Sequence, residues 1–268
     1  MVDCELGFWS RSVVSGTTVA ARGRLLLSWC LTRGHPDRQG TAKGELVPSP
    51  AVRPLLIACD FDGTITQRDT LHVVMEAFGP VGLWESIEPR MRAGELTVEQ
   101  AMREEFAAVH ATTDEVREVV LAAAPLRAGF PALVAWAADH GHELVIMSAG
   151  FRSIIDIVLA VANIEGLEIV ANDARFSRAG CEISWSLPGG PCDRCGRSCK
   201  RHALSERRGG RTAVYIGDGI SDRCPSLDAD IVFARDGLAQ FLDEQARVYQ
   251  GFDDFFDIRR SLALASAA

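Results

Sequence analysis

The chain lacks any apolar run approaching the ~20 residues needed to cross a bilayer, so a membrane-spanning transporter ATPase is not expected. It also lacks a basic excess. Its formal net charge is −8, which gives no electrostatic footprint for nucleic acid. The parts of an export signal do not assemble either. Leu25-Leu26-Leu27-Ser28-Trp29-Cys30-Leu31 is a short apolar piece, but Asp3 and Glu5 precede it and no Ala-x-Ala-like site follows. A cytoplasmic protein is therefore expected. With 47% hydrophobic residues the chain is globular rather than disordered, and 268 residues suit one core domain with a small insertion.

What the chain does have is concentrated at the ends of three strand-like runs. Leu55-Leu56-Ile57-Ala58-Cys59 leads into Asp60-Phe61-Asp62-Gly63-Thr64. Side chains alternate along a strand, so Asp60 and Asp62 are expected to converge above the sheet edge, where a hard cation would relieve their repulsion. His142-Glu143-Leu144-Val145-Ile146-Met147 runs into Ser148-Ala149-Gly150-Phe151, read as a small-residue turn opening a helix. Thr212-Ala213-Val214-Tyr215-Ile216 runs into Gly217-Asp218-Gly219-Ile220-Ser221-Asp222. In an open α/β sheet, ligands bind outside the carboxyl ends of the strands. Carboxylates, a hydroxyl and free amides at three such ends describe a site for a metal and a phosphate.

With Lys200 placed before the last of these runs, the stretch from Pro54 to Leu264 resembles a haloacid dehalogenase-superfamily phosphatase of the phosphoserine-phosphatase-like branch. The resemblance implies an α/β fold, a Rossmann-like parallel sheet with a small inserted helical cap. It implies a Mg²⁺-dependent phosphomonoesterase acting on a small metabolite phosphate through an aspartyl-phosphate. Asp60 would be the nucleophile and Asp62 the general acid and base. The metal would be held by the Asp60 and Asp218 side chains and by the main-chain carbonyl of Asp62. Ser148, the Ala149 and Gly150 amides and Lys200 would hold the phosphoryl group, with Asp222 behind them orienting Lys200 or a water. Simpler roles stand beside these. Ser148 or Asp222 could merely cap a helix, Lys200 could be surface charge, and Arg201 could do its electrostatic work.

The expected division is an unstructured extension over residues 1–52, a core over 53–66 and 127–268, and a helical cap over 67–126. Within the cap, Thr97-Val98-Glu99-Gln100 and Thr112-Thr113-Asp114-Glu115 read as capping boxes, and Gly129 to His140 reads as a core helix. Asp69 stands where phosphoserine phosphatases carry a glutamate that reads the substrate's ammonium. It is one methylene shorter, which weakens a phosphoserine assignment. His72 and Arg90 or Arg92 are further candidate substrate contacts, though each reads more readily as a solvated helix residue.

Eight cysteines are many for this length. Cys192, Cys195 and Cys199 crowd the loop before Lys200, and Cys-x2-Cys is metal-ligand spacing that Cys181 or His202 could complete. A structural Zn²⁺, a redox pair and plain reduced thiols are the three readings. Cys224, with Cys4, Cys30 and Cys59, reads as scattered. The cysteine loop ending on Lys200, followed by Phe233-Ala234-Arg235-Asp236, resembles the branch containing the 2-hydroxy-3-keto-5-methylthiopentenyl-1-phosphate phosphatase of methionine salvage. Phosphoserine phosphatase, a phosphotransferase and a non-catalytic phosphate-binding regulator are the alternatives. A small-molecule substrate is the expected partner, and a homodimer stays open.

Overall fold

The structure, a computed structural model, describes residues 54–188 and 191–266. The expected N-terminal extension lies outside the described residues. Strand β1 (Leu55–Cys59) sits at the centre of a six-stranded sheet. Its order is β4-β3-β2-β1-β5-β6, built from β2 (Glu143–Phe151), β3 (Glu168–Ser177), β4 (Gly180–Ser184), β5 (Thr212–Gly217) and β6 (Ile231–Ala234). All neighbours are parallel except the edge strand β4, which runs antiparallel to β3.

Every side chain of β1 is buried, as befits a strand covered on both faces. Leu55, Ile57 and Cys59 pack with helices α5 (Phe130–Asp139), α6 (Arg152–Val161) and α10 (Phe255–Ser266). Leu56 and Ala58 face the other way, toward α7 (Lys200–Arg208) and α9 (Asp236–Glu244). Short α8 (Arg223–Asp228) follows a single 3-10 turn over Ile220–Asp222. This is the doubly covered parallel sheet that strand–helix alternation predicts.

Four helices lie between β1 and α5: α1 (Thr70–Phe78), α2 (Leu83–Arg92), α3 (Val98–Phe106) and α4 (Thr113–Ala123). Thr66 and Leu126 bridge antiparallel at the two ends of this insertion, so it leaves and re-enters the core at one place. Thr97 and Thr112 each close a capping box, with Gln100 and Glu115 returning to the cap amide. Met75, Met102, Phe106 and Val120 join the same apolar cluster as the sheet, so the helices rest on the core. By contrast, Ile87, Leu96 and Ala101 form a small cluster of their own between α2 and α3.

One element differs from its expectation. The turn expected at Ser148–Phe151 is a continuation of β2, with the pairing to β3 slipping between Met147 and Phe151. A bulge rather than a turn carries the motif, and α6 begins with no side-chain cap. Ser148 is therefore not a helix cap.

Candidate active site

Strands β2, β1 and β5 are neighbours, so their carboxyl ends bring the three motifs side by side. The Asp60 amide still donates to the Ile216 carbonyl, at 2.9 Å, which extends the β1–β5 ladder to the aspartate itself. Lys200 opens α7, and Ala203 and Leu204, three and four residues later, pack on the sheet. The same helix face thus points Lys200 inward. Its ammonium, only 1% exposed, donates to Asp60 Oδ1 and, at 2.7 Å, to Asp222 Oδ1. Arg201, one position on, turns away to Asp193 and Asp228. Its ion pairs are with those residues and not with Asp60.

Asp222 is wholly buried and fully engaged. Tyr215 donates to Oδ1 at 2.8 Å, while the Asp218 and Gly219 amides donate to Oδ2 at 3.1 and 2.9 Å. It folds the loop after β5 and holds Lys200. Asp218 accepts from the Thr64 hydroxyl at 2.6 Å. Asp62 lies apart from this group. Ser148 donates to its Oδ2 at 3.0 Å, and the Thr70 hydroxyl and amide donate to Oδ1. The Gly150 amide, expected to face phosphate, donates to Ser148 Oγ at 2.8 Å.

Two glycines permit this crowding. Gly63 has φ +77°, and a Cβ there would meet Asp218 Oδ2 at 2.5 Å. A Cβ on Gly150 would meet Asp62 Oδ2 at 2.5 Å. Arg127 fixes the same turn by donating to the Thr64 and Gly63 carbonyls, at 2.9 and 2.7 Å.

Burial, then the charge of Asp222, push the Asp60 carboxyl well above the usual range despite Lys200. Burial and Asp222 likewise push Asp218 up to about 7. Burial, then Asp69, push Asp62 up to about 6 against the opposing bonds from Thr70 and Ser148. Lys200 is held above the lysine range: burial works against its charge, but Asp222 and Asp60 outweigh it. One lysine does not neutralise this many carboxylates. Asp60, Asp218 and Asp222 oxygens all lie within 4.8 Å of one another, an oxygen-only donor set that fits a hard divalent cation such as Mg²⁺.

A stability consequence follows directly. Asp62 and Asp218 have folded values of about 6 and about 7 against 3.8 for the free side chain. Between these limits the native state holds more protons than the unfolded chain, so stability falls as pH rises. In EDTA the melting temperature should drop from pH 5 to pH 7.5, and Mg²⁺ should restore most at the higher pH. A flat profile that Mg²⁺ does not move would contradict this charge balance.

A cavity of about 650 Å³ opens above the site, between the strand ends and the helical insertion. Asp60, Asp62, Asp69, Ala149, Gly150 and Asp218 line its floor, and Met75, Trp84, Met91 and Met102 its apolar side. His72 and Arg92 reach it; Arg90 instead pairs with Glu104. Asp69 lines the cavity while its carboxylate caps α1, accepting from the His72 amide at 3.0 Å. Glu105 is a residue the motif reading missed. It is 5% exposed, its Oε1 has no partner among the described residues, and burial, then Asp69, push it up to about 7. The signal was there: Val98, Met102 and Glu105 share one helical stripe, and the acid interrupts it. In the cysteine loop, Cys192, Cys195 and Cys199 meet Cys224 of α8, and neither Cys181 nor His202 belongs to that group.

Comparison with known proteins agrees with this geometry. Residues 57–224 match the family model of haloacid dehalogenase-like hydrolases. The 2-hydroxy-3-keto-5-methylthiopentenyl-1-phosphate phosphatase of Geobacillus thermodenitrificans is 32% identical over 209 residues, covering 77% of this chain and 94% of that protein. Its namesake from Brevibacillus brevis is 27% identical, covering 78% and 96%. Among solved structures, a phospho-aspartyl intermediate analogue of phosphoserine phosphatase shares the fold with a TM-score of 0.62. It is 17% identical and covers 78% of this chain and 99% of that one. Among the described residues no helix is long and apolar enough to cross a membrane. The strand-end carboxylates, the inserted helices and these relatives together make the chain a phosphatase-type member of the haloacid dehalogenase-like hydrolase family.

Proposed function

We propose that the protein hydrolyses a small metabolite phosphate through a phosphorylated Asp60, with a methylthio-bearing sugar-derived phosphate as its substrate class. The observation that carries this reading is the Lys200 ammonium shared between Asp60 and Asp222, beside Asp218 and within one cavity of Asp62. Asp60 attacks phosphorus, and its bond to Lys200 fixes which oxygen stays free to do so. Lys200 and the Ser148 hydroxyl, set free by a small turn away from Asp62, hold the phosphoryl oxygens. Asp62, poised near pH 6 by burial, gives its proton to the leaving alkoxide and then takes one from the water that hydrolyses the acyl phosphate. The Thr70 hydroxyl and amide orient it for both duties. Mg²⁺ held by the Asp60 and Asp218 side chains and the Asp62 carbonyl would neutralise charge between carboxylate and phosphate. The helical insertion acts as a cap that keeps bulk water from the phosphoenzyme.

Two things support the substrate class. The relatives at 32% and 27% identity described above carry that phosphatase's name, and three methionines with Trp84 line one side of the cavity. Thioethers and an aromatic ring suit an apolar sulphur-containing tail better than an ammonium. The test is phosphate release with Mg²⁺ over a metabolite panel. The methylthiopentenyl phosphate should give a kcat/KM at least about tenfold above phosphoserine, a preference worth ~1.4 kcal/mol. Activity should vanish in EDTA and in Ca²⁺, whose looser coordination misplaces the carboxylate. Phosphoserine as the better substrate would overturn the assignment.

Asp69 supplies a sharper probe of specificity. Because its carboxylate caps α1, replacement by alanine would confuse a lost cap, costing about 1 kcal/mol, with a lost substrate contact. Asp69→Ser keeps an N-cap acceptor and removes the reach into the cavity. It should lower kcat/KM for the natural substrate about tenfold while sparing a generic aryl phosphate and the melting temperature. Equal losses on both substrates would make Asp69 a capping residue only.

A further inference from the structure

Outside the cavity, a dense gathering of ligand-type side chains among the described residues is made of sulphur. Cys192, Cys195 and Cys199 come from one loop, and Cys224 reaches them from α8, with all four Sγ atoms within 4.8 Å of one another. We propose that these four cysteines form a closed tetrahedral Zn²⁺ site that ties the loop before Lys200 to the helix after Asp222.

The dimensions suit the ion. Zn–S bonds of ~2.3 Å in a tetrahedron place the sulphurs ~3.8 Å apart, a small contraction from the cluster as it stands. The four thiols are brought together with no disulfide between them. All four are free cysteines, and two of them are buried. The loop backbone is shaped to present them. The Gly196 amide donates to the Cys192 carbonyl at 2.7 Å and the Cys192 amide to the Arg197 carbonyl at 2.9 Å, closing a tight turn around the Cys-x2-Cys pair.

Hydrogen-bond donors are aimed at the sulphurs as well. The Cys195 and Arg194 amides point at the Cys192 sulphur, the Arg201 amide at that of Cys199, and the Arg201 guanidinium lies 3.6 Å from Cys192 Sγ. Such donors are what surrounds a metal-bound sulphur. Four thiolates on one Zn²⁺ leave a net negative charge, which Arg201 is placed to offset. Arg194 locks the arrangement to α8 through the Cys224 carbonyl at 2.8 Å and Asp228 at 2.7 Å.

None of the four cysteines lines the catalytic cavity, so the ion would have no open position and no part in the chemistry. Its effect would be mechanical. Cys199 immediately precedes Lys200, and Cys224 follows Asp222 by two residues. Fixing the two sulphurs therefore fixes the two elements whose side chains make the buried ion pair at 2.7 Å. The sulphur set also selects a soft-tolerant ion, while the oxygen set at Asp60 and Asp218 selects a hard one, so the two metals need not compete.

The test uses full-length protein purified reduced, without chelator and without a metal-affinity step. Elemental analysis should find about one zinc per chain, released in proportion by a thiol-specific mercurial. Cobalt exchanged into the site should show the visible absorption of a tetrahedral thiolate complex, a readout independent of phosphatase activity. Cys224→Ser should lose the zinc and lower the melting temperature, whereas His202→Ala should keep the zinc. Should Cys224→Ser fail to fold, the wild-type stoichiometry and the cobalt spectrum still decide. Reduced wild-type protein that takes up neither zinc nor cobalt, or that carries disulfides among these cysteines, would overturn the proposal.

Discussion

Asp60→Asn is expected to abolish turnover while leaving a folded protein. An amide cannot displace an alkoxide from phosphorus and then be regenerated by water, so kcat should fall by at least about 10³-fold. Folding should survive because the exchange is isosteric and removes a carboxylate that burial already disfavours as an anion. In EDTA the variant should melt at or above the wild-type temperature, since one repulsive charge has left a crowded site. The variant should also fail to trap hydroxylamine-sensitive phosphate when substrate and acid are added in quick succession. Turnover above about 1% of wild type in a preparation free of host phosphatase would remove Asp60 from the nucleophile's role.

The fold and the placement of these side chains were legible to different degrees. Strands β1 and β5 announce themselves as unbroken apolar runs, because a strand buried on both faces has no polar positions to confuse its reading. The capping boxes at Thr97 and Thr112 were equally legible, since four adjacent residues satisfy one another locally. The β3–β4 hairpin had no such signal. Asp173, Arg175 and Glu182 are spread along it, and its pairing is made at the sheet's edge where polar residues are tolerated. The slip in β2 at Ser148 was read as a turn because small residues mark both turns and bulges.

Within the site, sequence reasoning reached the carboxylates and small residues adjacent to a strand end, and Lys200 and Asp69 through the family resemblance. Tyr215 and Thr64 were not reached, although they hold Asp222 and Asp218 through side-chain bonds at 2.8 and 2.6 Å. Each looks like an ordinary strand or turn residue until the partner is placed beside it. Cys224 was read as a scattered small hydrophobe for the same reason. Its companions Cys192, Cys195 and Cys199 lie at least 25 positions earlier, and only the packing of α8 against α7 closes that distance. Arg201 failed in the opposite direction. Its neighbourhood to Lys200 in sequence suggested a shared task, but adjacent residues on a helix diverge by about 100°, and it faces Asp228 instead.

Lys200→Met is expected to damage both activity and folding. The side chain keeps its apolar stem, so the packing against Ala203 and Leu204 is preserved while the ammonium disappears. Asp60 and Asp222, 4% and 0% exposed, then lose their shared partner. Removing one side of a buried ion pair costs about 3–5 kcal/mol, because the remaining charge is left uncompensated in a poorly solvated place. Part of that is recoverable by protonation, since burial already draws the Asp60 carboxyl well above its usual range. The deficit in melting temperature should accordingly be greatest at pH 8, shrink toward pH 5, and shrink again with Mg²⁺. Activity should not follow. With the ammonium gone, the positive side chain assigned to the phosphoryl oxygens and the developing charge is lost. The kcat should fall by about 10²–10³-fold even where Mg²⁺ has restored the fold. A variant that melts like wild type at pH 8 in EDTA would show that Lys200 does not balance these carboxylates. A variant that folds poorly yet turns over normally once Mg²⁺ is added would make Lys200 a structural residue with no hold on the phosphate.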